Sequence, residues 1–242
     1  MSRIQLPSVL AVETSTQACS VALIYLNKEY VRHELLPQKH AHRVLEMIDE
    51  VMQEAGIDHQ EIDLLAYGEG PGAFTGVRIA SGVIQGLALG WDKPVLPVSS
   101  LLAMAENVFS NYSDTKDIKW CSLLDARMSE VYLLQGDFTA KTKTINAIKP
   151  ILISPKEVVN YLPQKEPCIG VGDIEGEYPE ISNLFNLWYS KLPEAISIAR
   201  MAQNRFVEGK TLLQEIPNPI YLRNHIADTI EERKMKAQLK QS

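Results

Sequence analysis

The chain is short of cysteine, of long apolar runs and of concentrated positive charge, and each shortage closes off a class of function. Three cysteines in 242 residues, Cys19, Cys121 and Cys168, are odd in number and far apart. That pattern argues against a disulfide framework and against a redox or metal motif. Two of the three lie in apolar, strand-like runs where a thiol acts as a small hydrophobe, so buried structural thiols are expected. No stretch approaches eighteen uninterrupted apolar residues, and Met1-Ser2-Arg3 lacks the basic-then-apolar layout of a signal peptide, so a cytoplasmic, membrane-free protein is expected. The formal net charge is −6, and a phosphate backbone would be repelled by most such surfaces. The nearest approach to a basic cluster, residues 231–240, mixes both signs.

What is present is a large apolar fraction, 45%, enough for a sizeable core in one large domain or two lobes. Alternating and continuous apolar runs predict strands at 9–13, 19–26 and 29–36, joined by short links into an antiparallel meander. Apolar residues at helical spacing predict a helix over 41–55, with Gly56 as its C-cap. A strand at 64–67, a glycine-rich turn, a helix over 73–89 and a strand at 95–98 complete a first RNase-H-like lobe, residues 1–106. A polar break at 107–117 opens a second lobe, residues 107–223. Strands are expected there at 120–124, 130–134 and 148–153, a tight link at 125–129, and helices at 155–161 and 193–208. Residues 224–242 read as a C-terminal tail, helical if ordered. The architecture therefore reads as α/β and duplicated, on element order alone.

Residues 68–78, Gly-Glu-Gly-Pro-Gly-Ala-Phe-Thr-Gly-Val-Arg, sit between a strand and a helix, where free N–H groups and the helix dipole suit an anion. No Gly-Lys-Ser/Thr follows, so this is not a Walker A loop. Two readings stand: a phosphate cradle using Gly70 and Gly72, or a structural turn. Glu13-Thr14-Ser15-Thr16, a carboxylate and hydroxyls at the first hairpin, fits either vestigial phosphate binding or ordinary turn chemistry. The helix after the glycine segment carries Gly82, Gly86 and Gly90 at i, i+4, at up to about 1 kcal/mol each relative to alanine. Close packing must offset that cost, either within the lobe or against another subunit. His40 and His42, an i, i+2 pair, point to different faces of a helix and do not suit one zinc. They are read as partly exposed residues or interface contacts. Gly170-Val171-Gly172-Asp173 reads as a turn.

Four blocks in order resemble the TsaB (YeaZ) family: 9–15, 68–78, Leu-Asp-Ala-Arg-Met-Ser-Glu-Val-Tyr at 124–132, and Pro-Ile-Tyr-Leu-Arg at 219–223. The resemblance implies an actin-like ATPase fold of two RNase-H-like lobes and a part in making threonylcarbamoyladenosine beside the anticodon of tRNA. It also implies a TsaD-like catalytic paralogue as partner, with a TsaE-like ATPase in the same machinery. The chain is expected to pair with itself when alone and to meet tRNA only through the complex. By the resemblance, the docking face is formed by the first two helices: His40, Val44, Leu45, Ile48, Val51 and Met52 on one, and Phe74, Arg78, Gly82, Val83, Gly86 and Leu87 on the other. Where TsaD has a His-x-x-x-His metal pair, this chain has Ser100 and Met104, neither suited to a hard metal centre. The resemblance thus implies no catalytic residue, no metal and no required cofactor here, with ATP or ADP and metal on the partners. The rivals are a standalone ATPase or phosphotransferase using Glu13, Thr14 and residues 70–76, and a glycoprotease-like metallopeptidase.

Overall fold

The computed structural model describes residues 6–164, 166–207 and 218–222. The tail at 224–242, Arg223 and Glu208 lie outside the described residues.

The first lobe is built on β1 (Val9–Glu13), β2 (Ala18–Tyr25), β3 (Lys28–Leu35), β4 (Leu64–Gly70) and β5 (Val95–Ser99), in the spatial order β3-β2-β1-β4-β5. β1 pairs antiparallel with β2 and parallel with β4. Its continuous apolar run reflects burial on both faces. Leu10 and Val12 point to a core beneath α1 (His40–Ala55) and α2 (Phe74–Trp91), while Val9 and Ala11 point the other way. That second face is covered by α5 (Ala195–Val207), whose Ala195, Ile198, Ala199 and Ala202 are fully buried on the sheet. The sequence reading assigned residues 193–208 to the second lobe; the helix packs instead on the first sheet, because its small residues fit flat against β1 and β2. Ser20 Oγ accepts from the Ala195 N–H at 3.0 Å and fixes where the helix begins.

The second lobe carries β6 (Ile118–Arg127), β7 (Glu130–Thr139), β8 (Thr144–Ala147), β9 (Ile151–Ile153), β10 (Cys168–Gly172) and β11 (Leu187–Ser190). Its order, β11-β10-β6-β7-β8 with β9 also on β7, repeats that of the first sheet: a central strand with a hairpin neighbour on one side and parallel strands on the other. This is the actin-like pair of lobes expected from the sequence. Helix α3 (Ser100–Phe109) lies between the lobes. It starts where β5 ends, and Leu101, Met104 and Phe109 pack on the second sheet.

Several elements differ from the sequence reading. Residues 144–147 form a strand, and 155–161 form a 3-10 helix rather than an α-helix. The segment Gly170–Val171–Gly172 is a buried central strand, not a turn. A Cβ at Gly172 would lie 2.0 Å from the Leu123 carbonyl oxygen, so these glycines admit neighbouring strands and rings rather than a bend. All three cysteines are buried and unbridged in strands, with the Cys121 and Cys168 sulfurs 3.8 Å apart.

Candidate functional site

Two features could carry function: a cleft between the lobes and the outward face of α2. The cleft, about 1040 Å³, is walled on one side by the first hairpin and the glycine segment (Ser15, Thr16, Gly72, Phe74, Thr75). On the other side stand Leu124, Asp125, Arg127, Met128, Asp173 and Glu177.

Glu13 does not open into this cleft. Its carboxylate is enclosed, accepting from Ser100 Oγ at 2.7 Å and from the Ser15 N–H at 2.5 Å. Gly68 must lack a side chain for this to happen, since a Cβ there would lie 1.8 Å from Glu13 Oε2. Burial pushes the Glu13 carboxyl above its ordinary value, against the opposing effect of the hydrogen bonds from Ser100 and Ser15. Thr14 is also buried, donating through Oγ1 to the Gly76 carbonyl at 2.7 Å. Gly72 and Gly76 are explained the same way: added Cβ atoms would lie 2.5 Å from the Ser15 carbonyl oxygen and 2.0 Å from that of Thr14. The glycine segment is thus packed backbone-to-backbone on the first hairpin, with the Ala73 N–H donating to the Ser15 carbonyl at 2.7 Å.

The second-lobe wall is acidic. Asp125, Asp173 and Glu177 face one guanidinium, that of Arg127, and no lysine is among the described lining residues. Both Asp125 oxygens are engaged, Oδ1 by the Arg127 N–H at 2.8 Å and Oδ2 by the Arg127 guanidinium at 2.8 Å. The turn they brace holds Arg127, Met128 and Ser129 in the left-handed region, a strained arrangement for side-chain-bearing residues. Burial pushes the Asp173 carboxyl up to about 6. Asp173 Oδ1, and Ser15 Oγ opposite, have no hydrogen-bond partner among the described residues. The actin-like fold implies a magnesium nucleotide in such a cleft. These residues do not fit one: the carboxylate that would stand near the metal is sealed off, and a polyphosphate would meet a wall of negative charge. No group of three His, Cys, Asp or Glu side chains among the described residues could hold a metal. Ser100 instead holds Glu13, and Met104 is core.

The outward face of α2 is different. Added Cβ atoms at Gly82, Gly86 and Gly90 would meet no atom of the described residues within 4 Å, so no packing among those residues offsets the cost of the glycine row. Leu89 beside it is 87% exposed, and Leu45 on α1 is 52% exposed. Val83, Leu87 and Met52 are half-buried against the first-lobe core. Val44, Ile48 and Val51 are corrected from docking face to core: their stripe on α1 turns inward under the sheet. His40 is likewise buried, its Nε2 3.2 Å from the Ala18 carbonyl oxygen, while His42 is exposed.

At the cleft end of α2, Arg78 lies over the Phe74 ring, 3.6 Å from its centroid, and donates through Nε to the Tyr221 hydroxyl at 2.8 Å. Residues 218–222 return here along β4: the Ile220 N–H donates to the Glu69 carbonyl, and the Asn218 N–H to the Tyr67 hydroxyl. Sequence reasoning placed Phe74 and Arg78 on the face but missed Tyr221, since nothing in local spacing ties residue 221 to residue 78. No helix among the described residues is long and apolar enough to cross a membrane.

Comparison with known proteins adds lineage to this geometry. A family model described as TsaD, tRNA N6-adenosine threonylcarbamoyltransferase, matches residues 31–232. The tRNA threonylcarbamoyladenosine biosynthesis protein TsaB of Haemophilus influenzae is 37% identical over 228 residues, covering 90% of this chain and 94% of that one. The protein of the same name from Escherichia coli is 34% identical, covering 90% and 96%. By contrast, the tRNA N6-adenosine threonylcarbamoyltransferase of Paraburkholderia xenovorans, 32% identical, matches over 38% of this chain and 32% of its own length. Among solved structures, YeaZ from Pseudomonas aeruginosa superposes with a TM-score of 0.78 at 33% identity, covering 90% of this chain and all of that one.

Proposed function

Because the chain belongs to the TsaB family, we propose that it serves the making of threonylcarbamoyladenosine in tRNA as a non-catalytic docking subunit. Its partner is a TsaD-like paralogue that carries the metal and the transfer chemistry, with a TsaE-like ATPase supplying nucleotide turnover. The subunit needs no cofactor of its own, works in the cytoplasm, meets tRNA only through the complex, and pairs with itself through the same face when alone. The observation that carries this reading is the glycine row on α2: three small residues at i, i+4, each uncovered by any described residue, where a partner helix can approach at backbone distance. The sealed Glu13 supports it from the other side, by removing the carboxylate a phosphotransferase would place at its metal.

The test is reconstitution. Unmodified tRNA, the paralogue, the ATPase and the carbamoyl-donor enzyme are combined with and without this subunit, and the nucleoside product is read by mass spectrometry. Product should fall to background without the subunit, and again when Gly86→Arg or Leu45→Asp is supplied, both being exposed positions that leave the core intact. Full activity with both variants would refute the docking face. Turnover of Mg-ATP by the isolated subunit would refute the non-catalytic role and favour an ATPase or phosphotransferase. Hydrolysis of a glycoprotein by the isolated subunit would favour a metallopeptidase.

A further inference from the structure

We infer that Arg78 is a preorganised receptor for a carboxylate of the protein partner, held ready by the returning segment 218–222; this rests on the docking reading above. Arg78, Gly82, Gly86 and Gly90 succeed one another at i, i+4, so the guanidinium stands at the head of the glycine row on the same exposed face. A partner lying along the row therefore reaches Arg78 at its cleft end.

The side chain is already fixed. Its guanidinium is stacked on Phe74, and its Nε is taken by the Tyr221 hydroxyl, whose ring lies 5.8 Å from that of Phe74. Tyr221 is itself anchored by the flanking backbone bonds of Ile220 to Glu69 and of Asn218 to Tyr67. Binding then costs little of the rotamer freedom an arginine ordinarily loses. What remains is the pair of Nη groups, with no hydrogen-bond partner among the described residues, and a planar fork of this kind matches a carboxylate bidentately. A phosphate has similar chemistry. Two observations favour a protein carboxylate: the adjoining row is a smooth, uncharged strip suited to a helix, and a polyanion is opposed by the net charge of −6. The aromatic–arginine combination is also typical of residues that dominate protein interfaces.

The experiment titrates the purified TsaD-like paralogue with the wild-type chain and with Arg78→Lys, Tyr221→Phe and Gly82→Arg, each checked for folding by circular dichroism. Arg78→Lys keeps the charge and loses the fork, and should weaken binding at least tenfold. Tyr221→Phe keeps the ring and releases Nε, and should speed dissociation threefold or more. Gly82→Arg should abolish binding. If Gly82→Arg abolishes binding while Arg78→Lys and Tyr221→Phe stay within twofold of wild type, the receptor is overturned and the docking reading survives. Retained binding by Gly82→Arg overturns the docking reading itself. Carbodiimide coupling at high concentration then tests the chemistry, since the amine introduced by Arg78→Lys should couple to an aspartate or glutamate of the paralogue. Coupling to no paralogue carboxylate, or a loss of affinity confined to a tRNA transcript, overturns the assignment.

Discussion

Glu13 shows how a residue type that reads as catalytic can be enclosed by its own neighbours. Position and chemistry fit a metal-adjacent acid, yet the carboxylate spends both oxygens on Ser100 and the Ser15 N–H, behind a glycine that makes room for it. Its raised pKa has a thermodynamic consequence. At pH above the ordinary value of 4.5, the unfolded chain has released a proton that the folded protein still holds, so folding stability falls as pH rises through that window. Burial raises Glu69, Glu106 and Asp173 in the same direction, so the wild-type curve alone does not isolate Glu13. Comparison with Glu13→Gln does. Urea denaturation across pH 4.5 to 8 should show the glutamine variant gaining on wild type with rising pH, by up to about 1.4 kcal/mol per pH unit within the window. A constant gap would mean that Glu13 titrates normally in the folded state.

At the scale of elements, α2 is a helix kept below its own best stability. Gly82 and Gly86 are interior to the helix, and among the described residues no neighbour stands where a methyl group would strike it. Replacing both by alanine should therefore stabilise the isolated chain by roughly 1–2 kcal/mol, read as a higher urea midpoint. The same double variant should bind the paralogue more weakly, because each methyl holds the partner backbone further off. Greater stability with unchanged binding would remove the interface as the reason for the glycines. This element was largely legible in the sequence: the spacing of the row was visible, although spacing alone left two packing partners open. On α1 the legibility failed. Val44, Ile48 and Val51 form an apolar stripe, and a stripe that packs on its own sheet has the same period as one that packs on a stranger. What separates them is Leu45, an apolar residue off the stripe, exposed where a core helix would carry a polar group. The 125–129 link was read too long, since Asp125, Ala126 and Arg127 continue β6 and only Met128 and Ser129 make the turn into β7, and 144–147 was missed. That strand is short and mostly exposed, with no apolar alternation to announce it.

Over the whole molecule, the repeated sheet order makes the two lobes look like independent halves, but the packing ties them together. α3 leaves the first sheet to cover the second, and α5 leaves the second to cover the first. A substitution near the end of the chain should consequently damage its beginning. Ala202→Asp would place an unpaired charge in the core that also holds Val9, Ala11 and Leu64, at a cost of roughly 3–5 kcal/mol. Hydrogen exchange followed by mass spectrometry should then find lost protection in peptides spanning β1 and β4, nearly two hundred residues upstream in the case of β1. Protection lost only in the second lobe would contradict this division of the core. Such long-range closure is invisible to local periodicity, which is why the sequence placed α5 with its chain neighbours.

The crossing of α5 also sets a timetable for synthesis. While the ribosome is still translating, the opening meander can pair its strands and receive the first two helices, yet one side of its central strands stays wet until the codons for the 195–207 stretch have been read. The proposed docking face thus rests on a sheet whose far side is covered only after that stretch has been made, and a nascent fragment ending before it would carry the face on an unfinished core.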